Sequence, residues 1–159
     1  DKTKLIDYIK TYHNDVPLPH KECEWDDYFF LLFLNKIEPH FKDIDILILD
    51  EFPAPLSALA KLKADNKKVC QRFEFYIKGV ELCNCFYELE NLAEQKLRAR
   101  QALADKKRLY DYSLPEPQSL YSALEKGIDQ SSGIALGVER LLLCLTEDKI
   151  VFWDQELPL

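Results

Sequence analysis

The first part of the chain has apolar residues at helical spacing. Apolar positions three or four residues apart predict a helix over residues 3–13. A broader apolar face with the same spacing predicts a second helix over residues 24–37, which packs in the core and ends before Pro39.

A short apolar run follows, from Asp45 to Phe52. Its isoleucines and leucines are consecutive and do not alternate with polar residues, which favours a strand buried on both faces. Pro53 and Pro55 end this strand, and residues 56–61 are predicted to form a turn or a short helix.

Residues 71–88 have the pattern of two strands around a turn at Lys78-Gly79. Three glutamates, Glu74, Glu81 and Glu88, stand at regular intervals in this segment among aromatic and apolar neighbours. Carboxylates in such surroundings lose hydration, so they usually have a cation, a metal or a basic ligand as partner. The rest of the sequence is organised around this hairpin.

Residues 91–111 are rich in Glu, Gln, Lys, Arg and Ala, a composition that favours a helix. Its thin apolar stripe ends at Tyr110. Most of its charged residues are expected to form a solvated face, and docking of a partner or RNA is the alternative.

The last third of the sequence alternates helix and strand signals. A helix over residues 118–127 is predicted to stop at Gly127. Small and apolar residues over 131–137 predict a strand and a close turn, followed by a buried helix over 138–145. Residues 149–153 are expected to add an edge strand.

Composition and charge narrow the classes of protein. The 159 residues suffice for one domain with a core, and 47% of them are hydrophobic. The net charge of −7 argues mildly against a nucleic-acid-binding face. Because no apolar run reaches about 18 residues, no membrane span is expected. The start is not a signal peptide. Because the chain contains no methionine and does not begin with one, we expect a piece of a longer protein.

The five cysteines are odd in number and form no C-x-x-C pair. This predicts reduced thiols in a cytosolic protein. Zinc is disfavoured because a structural site needs about four well-spaced ligands. The three histidines lie far in sequence from Cys83 and Cys85.

The hairpin turn fixes which residues face each other. A two-residue turn at Lys78-Gly79 places Tyr76 opposite Glu81, with Glu74 on the same face. Two neighbouring carboxylates repel unless a divalent cation lies between them, and magnesium with a nucleoside triphosphate is a common arrangement. A wet sheet face that screens the repulsion is equally compatible. Strict alternation turns Glu88 to the other face, unless the strand bulges near Asn84-Cys85.

The segment Gly137-Val138-Glu139-Arg140 could contact phosphate. Glycine before a helix lets a ligand approach the backbone, and arginine suits bidentate phosphate contact. The alternative is an ordinary salt bridge from Arg140 to Glu139 or another acid. No nucleophile elbow, Walker A loop or G-x-G-x-x-G motif accompanies it.

Several motifs, taken in order, carry a resemblance to a known family. They are Arg72-Phe73-Glu74, Gly79-Val80-Glu81-Leu82-Cys83-Asn84, Glu88-Leu89, Glu94-Gln95 and Ser132-Gly133-Ile134-Ala135-Leu136-Gly137-Val138-Glu139-Arg140-Leu141. They resemble the C-terminal half of class II lysyl-tRNA synthetase catalytic domains. Ala135, where those synthetases usually have glycine, makes the chain most similar to the truncated elongation factor P–(R)-β-lysine ligases. Cys85 departs from their glycine or alanine, and the tail from Trp153 matches nothing in the family.

The resemblance implies an α+β fold, an antiparallel sheet of the class II synthetase type flanked by helices, present here as a partial domain. Residues 1–44 would be a helical lead-in, and residues 45–159 would carry the sheet with the ATP and amino-acid sites.

The resemblance also implies roles for individual residues. Glu74 and Glu81 are similar to the glutamates that hold ATP through Mg²⁺. Leu82 and Gly137 would border the ATP site, and Arg140 would contact the triphosphate as the catalytic residue.

A second group of residues would bind the amino acid. Glu88 resembles the acid that binds an amino group of a lysine-type substrate, while Asn84 and Ala135 would shape its pocket.

The implied reaction makes an aminoacyl-adenylate from ATP and lysine or (R)-β-lysine and transfers the acyl group to a lysine of elongation factor P. The alternatives are a lysyl-tRNA synthetase with tRNA as acceptor, and a synthetase-like binding module without catalysis. The resemblance further implies a cytoplasmic homodimer with no membrane partner. Because the first and second class II signatures are not found in these residues, the isolated chain is expected to be inactive.

Overall fold

The computed structural model describes residues 1–21 and 23–146, and the edge strand predicted over 149–153 lies outside them. Its elements in chain order are α1 (Lys2–Tyr12), α2 (Trp25–Lys36), β1 (Ile46–Asp50), β2 (Arg72–Ile77), β3 (Val80–Tyr87), α3 (Leu92–Tyr110), α4 (Gln118–Lys126), β4 (Ser132–Leu136) and α5 (Val138–Leu145). Short 3₁₀ turns occupy Glu38–Asp43 and Ala54–Leu56. A turn at residues 58–59, where Ala60 N–H donates to the Ser57 carbonyl at 2.7 Å, confirms the turn or short helix predicted over 56–61. The four longer predicted helices are confirmed to within a residue or so at each end.

The four strands form one sheet in the order β1-β2-β3-β4. Each neighbouring pair is antiparallel. Beside β1 and β2, Cys70 N–H donates to the Phe52 carbonyl at 2.8 Å. Between β3 and β4, Gly137 N–H donates to the Leu82 carbonyl at 2.8 Å. The predicted α+β class with an antiparallel sheet is confirmed.

The chain divides into two compact units. The first comprises residues 1–49, 74–84 and the segment from 136, and the second comprises residues 50–73 and 85–135.

Aromatic side chains form much of the core of the first unit. Phe33 and Phe41 meet edge to face with their ring centroids 5.8 Å apart, and Phe41 meets Tyr76 in the same way at 5.1 Å. Leu47 and Leu49 of β1 pack against this cluster. Such edge-to-face contacts suit the quadrupoles of the rings. Tyr76, a core residue, therefore anchors β2 two residues away from Glu74.

The prediction that β1 is buried on both faces is wrong. Leu47 and Leu49 face the aromatic cluster, whereas Ile46 and Ile48 are 63% and 60% exposed. The side chains of a strand alternate between its faces, so only one face of β1 is covered by described residues. The prediction of a buried helix over 138–145 is also wrong, because α5 has no buried residue.

The two-residue turn of the hairpin is confirmed. Lys78 and Gly79 both have positive φ, 47° and 81°, as a type I′ turn requires. A Cβ at Gly79 would lie 3.1 Å from the backbone nitrogen of Lys42. The glycine thus supplies both the left-handed conformation and the space for the neighbouring backbone.

The hydrogen bonds of Gln71 lie just outside the hairpin ladder. The turn sets a register in which Gln71 would pair with Phe86, whereas Tyr87 N–H donates to the Gln71 carbonyl at 2.9 Å. Gln71 precedes β2, and its own N–H donates to the Lys61 carbonyl at 2.8 Å. These bonds do not locate an extra residue within β3, so the bulge near Asn84-Cys85 stays a prediction.

In the second unit, α3 carries the polar surface and α4 contributes Tyr121 and Leu124 to the core. The buried contact of α3 is made by Gln95, whose side chain donates to the Leu89 carbonyl at 2.9 Å. Tyr110 is 64% exposed, so the apolar stripe predicted to run as far as this residue ends earlier. No described helix is long and apolar enough to cross a membrane.

Candidate functional site

In the first unit, Glu74 lies on the buried side of β2 with Tyr76. Residues two apart in a strand share a face, and both side chains are buried. The Tyr76 hydroxyl donates to Glu74 Oε2 at 2.6 Å. A buried carboxylate needs such donors because it has lost much of its hydration. The phenol therefore holds Glu74 in one orientation.

The same environment raises the pKa of Tyr76. Burial is the main cause, and the hydrogen bond to Glu74 and the nearby negative charges of Glu74, Glu81 and Glu38 act in the same direction. The hydroxyl consequently stays protonated and remains a donor.

Arg140 reaches from α5 to β3 within the first unit. Its Nη1 donates to the backbone carbonyl of Glu81 at 2.8 Å and lies 3.4 Å from Glu81 Oε2. The arginine side chain remains 55% exposed. An ion pair this exposed contributes little stability, about 0–1 kcal/mol. The two contacts instead position Arg140, because together they hold its guanidinium beside Glu81.

Gly137 connects the same two elements through its backbone. Its N–H donates to the Leu82 carbonyl at 2.8 Å, and it is the residue before the first turn of α5. Its φ is −79°, so backbone conformation does not demand glycine here. A Cβ would lie 3.2 Å from Arg140 Cδ. Glu81, Leu82, Gly137 and Arg140, four of the five residues predicted to bind ATP, are thus brought together.

These carboxylates fit a magnesium ion bound together with phosphate. Among the described residues, no group of three or more His, Cys, Asp or Glu side chains is placed to hold a metal. Glu74 and Glu81 supply carboxylate oxygen only. Mg²⁺ characteristically takes one or two carboxylates and completes its octahedron with water and phosphate oxygens. The donor set suits a nucleotide-bound Mg²⁺ better than an ion held by protein alone.

Glu88 lies in the second unit, at the end of β3. Its backbone N–H donates to the Ser131 carbonyl at 3.0 Å, which ties it to the start of β4. Its carboxylate extends over Gly133, where a Cβ would lie 2.5 Å from Glu88 Oε1. The strand pairing therefore determines where this carboxylate can go.

A cavity of about 290 Å³ in the second unit is lined by Arg72, Cys85 and Ser132, among others. The Arg72 guanidinium lies 4.2 Å from the Phe52 ring centroid, and its Nη1 donates to the Leu56 carbonyl at 3.0 Å. Cys85, the departure from the family pattern, thus lies on a cavity wall. None of the residues predicted to bind substrate lines this cavity.

A larger cavity of about 800 Å³ in the same unit has a polar wall that includes the ion pair between Lys61 and Glu90. This pairing lowers the pKa of Glu90 and raises that of Lys61. None of the predicted site residues lines this cavity either.

Two predicted pocket residues, Asn84 and Ala135, line neither of these two cavities. Asn84 is half-buried in β3, and Ala135 is exposed in β4. All five cysteines lie within the described residues and none forms a disulfide, and burial raises the pKa of the Cys70 thiol. The sequence signals did not single out Tyr76 as the partner of Glu74, nor the space that Gly133 leaves for Glu88. The run of small residues over 132–137 was the only local sequence feature that indicated the space at Gly133.

The antiparallel sheet carries Glu74 on β2 and Glu81 on β3, and Arg140 stands in the first turn of α5. Residues 27–152 match the family model described as tRNA synthetases class II (D, K and N). The chain therefore belongs to the class II tRNA synthetase family.

Within this family, the chain is similar to proteins named elongation factor P–(R)-β-lysine ligase. It is 40% identical over 138 residues to the protein of Vibrio cholerae, covering 86% of this chain and 42% of the relative. It is 37% identical over 147 residues to that of Pasteurella multocida, covering 90% and 43%. It is 39% identical over 125 residues to that of Edwardsiella ictaluri, covering 77% and 38%. The chain thus spans less than half the length of these relatives.

Proposed function

We propose that this chain is part of an ATP-dependent ligase that activates a lysine-type amino acid as its adenylate and transfers it to a lysine of elongation factor P. The observation that carries the proposal is the contact of Arg140 with Glu81, beside the hydrogen bond from Gly137 to Leu82. The names and the identities of the relatives support the choice of substrate and acceptor.

On the nucleotide side, Arg140 would hold the triphosphate. Its guanidinium stands beside Glu81, where it can neutralise charge that develops on the leaving pyrophosphate. Glu74, kept in one orientation by Tyr76, and Glu81 would hold Mg²⁺ with the phosphates. When bound, that ion supplies positive charge to the phosphate oxygens. Leu82 and Gly137 would border the nucleotide.

On the amino-acid side, Glu88 would receive an amino group of the substrate as an ion pair. Asn84 and Ala135 would shape the rest of the pocket. The Ala135 methyl group narrows the space that glycine would leave. Such a difference discriminates between substrates by about 1–3 kcal/mol, which favours (R)-β-lysine over lysine only modestly.

The chemistry needs no protein nucleophile. A carboxylate oxygen of the amino acid attacks the α-phosphorus of ATP, and the bond to the leaving pyrophosphate breaks. The unprotonated ε-amine of an acceptor lysine then attacks the acyl carbon. AMP leaves and the amine loses a proton to solvent, giving an amide.

A lysyl-tRNA synthetase is the second candidate, because the matching family model also covers the synthetases for lysine. The acceptor separates the two. The full-length protein should transfer radiolabelled (R)-β-lysine or lysine to elongation factor P and leave lysine tRNA uncharged. Charging of tRNA without modification of elongation factor P would favour the synthetase, and absence of Mg²⁺-dependent ATP binding would favour a non-catalytic module.

The proposal includes three broader properties. The full-length protein would use Mg²⁺, form a homodimer and work in the cytoplasm. Residues 1–44 would be a helical lead-in, and residues 45–159 would carry the ATP and amino-acid sites.

The role of Arg140 is tested by replacing it in the full-length protein. Arg140→Ala should lower kcat/KM for ATP in pyrophosphate exchange by about 10²–10³-fold, the usual effect of removing a group that stabilises transition-state charge. Arg100→Ala is the matched control. It removes an exposed arginine that pairs with Glu116, and it should leave the rate unchanged. Equal rates for the two variants would contradict the assignment.

A further inference from the structure

Gly133 meets the Glu88 carboxylate at a distance that leaves no room for a side chain. A Cβ there would lie 2.5 Å from Glu88 Oε1 and 3.6 Å from its carboxyl carbon. Non-bonded heavy atoms prefer separations of about 3.5–4.0 Å, so the first distance is a steric overlap. An alanine at this position would have to displace the carboxylate.

Backbone conformation does not explain this glycine. The glycines with positive φ are Gly79 and Gly127, and Gly133 is not among them. An alanine at 133 would therefore meet no left-handed strain. Any effect of that substitution would come from the space it fills.

The pairing of β3 with β4 accounts for the contact. The hydrogen bond from Glu88 N–H to the Ser131 carbonyl aligns these two residues across the strands. Gly133 lies two positions further along β4, on the same face as Ser131. It is therefore the diagonal neighbour of Glu88, within reach of a long side chain.

We infer that Gly133 is a positioning residue for the amino-acid substrate. The missing side chain leaves a slot over β4 in which the Glu88 carboxylate rests, and this sets where an amino group of the substrate is held. The inference rests on the proposed function, in which Glu88 receives that amino group. A methyl group at 133 would push the carboxylate out of the slot and weaken this contact.

The test is Gly133→Ala in the full-length protein, with pyrophosphate exchange measured against (R)-β-lysine, lysine and ATP. The KM for the amino acid should rise about 10–100-fold, since a displacement of about 1 Å in a site can cost that much. The KM for ATP should stay within about twofold because Gly133 contacts Glu88 and not the nucleotide residues. An unchanged amino-acid KM would overturn the inference.

Gly137→Ala is a matched comparison, because it adds the same methyl group four residues further on. That methyl would meet Arg140 Cδ at 3.2 Å, so this variant should raise the KM for ATP and spare that for the amino acid. Loss of folding would affect both KM values in both variants, which separates a structural effect from a positional one.

Rescue provides the second readout. Glu88→Asp withdraws the carboxylate by one methylene and should make room for the methyl group. In a protein that already has Glu88→Asp, adding Gly133→Ala should change the KM for the amino acid by less than about threefold. The two substitutions would then be non-additive, as expected of residues in contact. Independent, multiplicative effects of the two substitutions would contradict the contact.

A wild-type protein that forms no adenylate with either amino acid overturns the proposed function. The contact itself is then judged by the melting temperatures of the wild type, Gly133→Ala, Glu88→Asp and the variant that combines both substitutions. Gly133→Ala should lower the melting temperature, and Glu88→Asp should suppress that loss. Additive changes in melting temperature would refute the contact.

Discussion

Tyr76 joins the core to the candidate site through one side chain. Its ring packs edge to face on Phe41, and its hydroxyl donates to Glu74. An aromatic residue on the buried face of β2 was predictable from alternation. The acceptor of its hydroxyl group was not predictable. Whether Tyr76 donates to Glu74 or to another acceptor depends on the side-chain packing in the core.

Replacing Tyr76 with phenylalanine should lower the free energy of unfolding by about 1–3 kcal/mol, because the buried Glu74 carboxylate loses a donor. Urea unfolding of the full-length protein measures this. Tyr12→Phe is the control, since Tyr12 is 69% exposed and its loss should change stability by less than about 0.5 kcal/mol. Equal effects would argue against a structural role for the bond.

Tyr76 should also give stability an alkaline limit. Burial, with the bond to Glu74 second, raises the pKa of Tyr76 above the ordinary value of 10.0. The folded state then holds a proton that the unfolded state releases, so this contribution is complete below pH 10 and decreases as pH rises above it. The free energy of unfolding should fall above pH 10, and less steeply in Tyr76→Phe. Parallel pH curves would contradict this.

At the scale of elements, periodicity predicted the helices and the hairpin because each depends on local spacing. The burial of β1 could not be predicted in the same way. A run of isoleucines and leucines is compatible with one covered face or two, and only the packing of Leu47 and Leu49 shows that one is covered. The bulge near Asn84-Cys85 stays a prediction, because it was inferred from the role expected of Glu88 and not from local spacing.

The hairpin turn requires its glycine for two reasons. Gly79→Ala places alanine at a φ of 81°, which costs about 1–2 kcal/mol. The added Cβ would also lie 3.1 Å from the Lys42 backbone nitrogen. Gly79→Ala should therefore lower the melting temperature in thermal unfolding. An unchanged melting temperature would show that the turn tolerates the methyl group.

At the scale of the whole molecule, the chain spans only 42–43% of its relatives from Vibrio cholerae and Pasteurella multocida. The residues of the proposed nucleotide site in this chain supply one arginine and two carboxylates. Motif order was enough to identify the family from sequence, since several short signatures occur in the right succession. Motif order does not predict which residues would line an amino-acid pocket, because pocket walls depend on tertiary packing.

Residues 1–159 alone should therefore show pyrophosphate exchange at background. The full-length protein, assayed at the same concentration, is the positive control. Circular dichroism of the isolated chain separates an incomplete site from an unfolded one. Clear adenylation by residues 1–159 would show that Arg140, Glu74 and Glu81 suffice for the phosphate chemistry.

The pairing of Arg140 with Glu81 has a consequence for how a nucleotide would enter. Before binding, the two opposite charges cancel locally and Glu81 acts as a tethered counter-ion. An incoming polyphosphate would replace the Glu81 carboxylate as the partner of the Arg140 guanidinium. The long-range electrostatic attraction between the phosphates and this pair is therefore small. The guanidinium is nevertheless already close to the position in which it would bind phosphate. Association should accordingly depend weakly on ionic strength, and Glu81→Gln should make that dependence steeper.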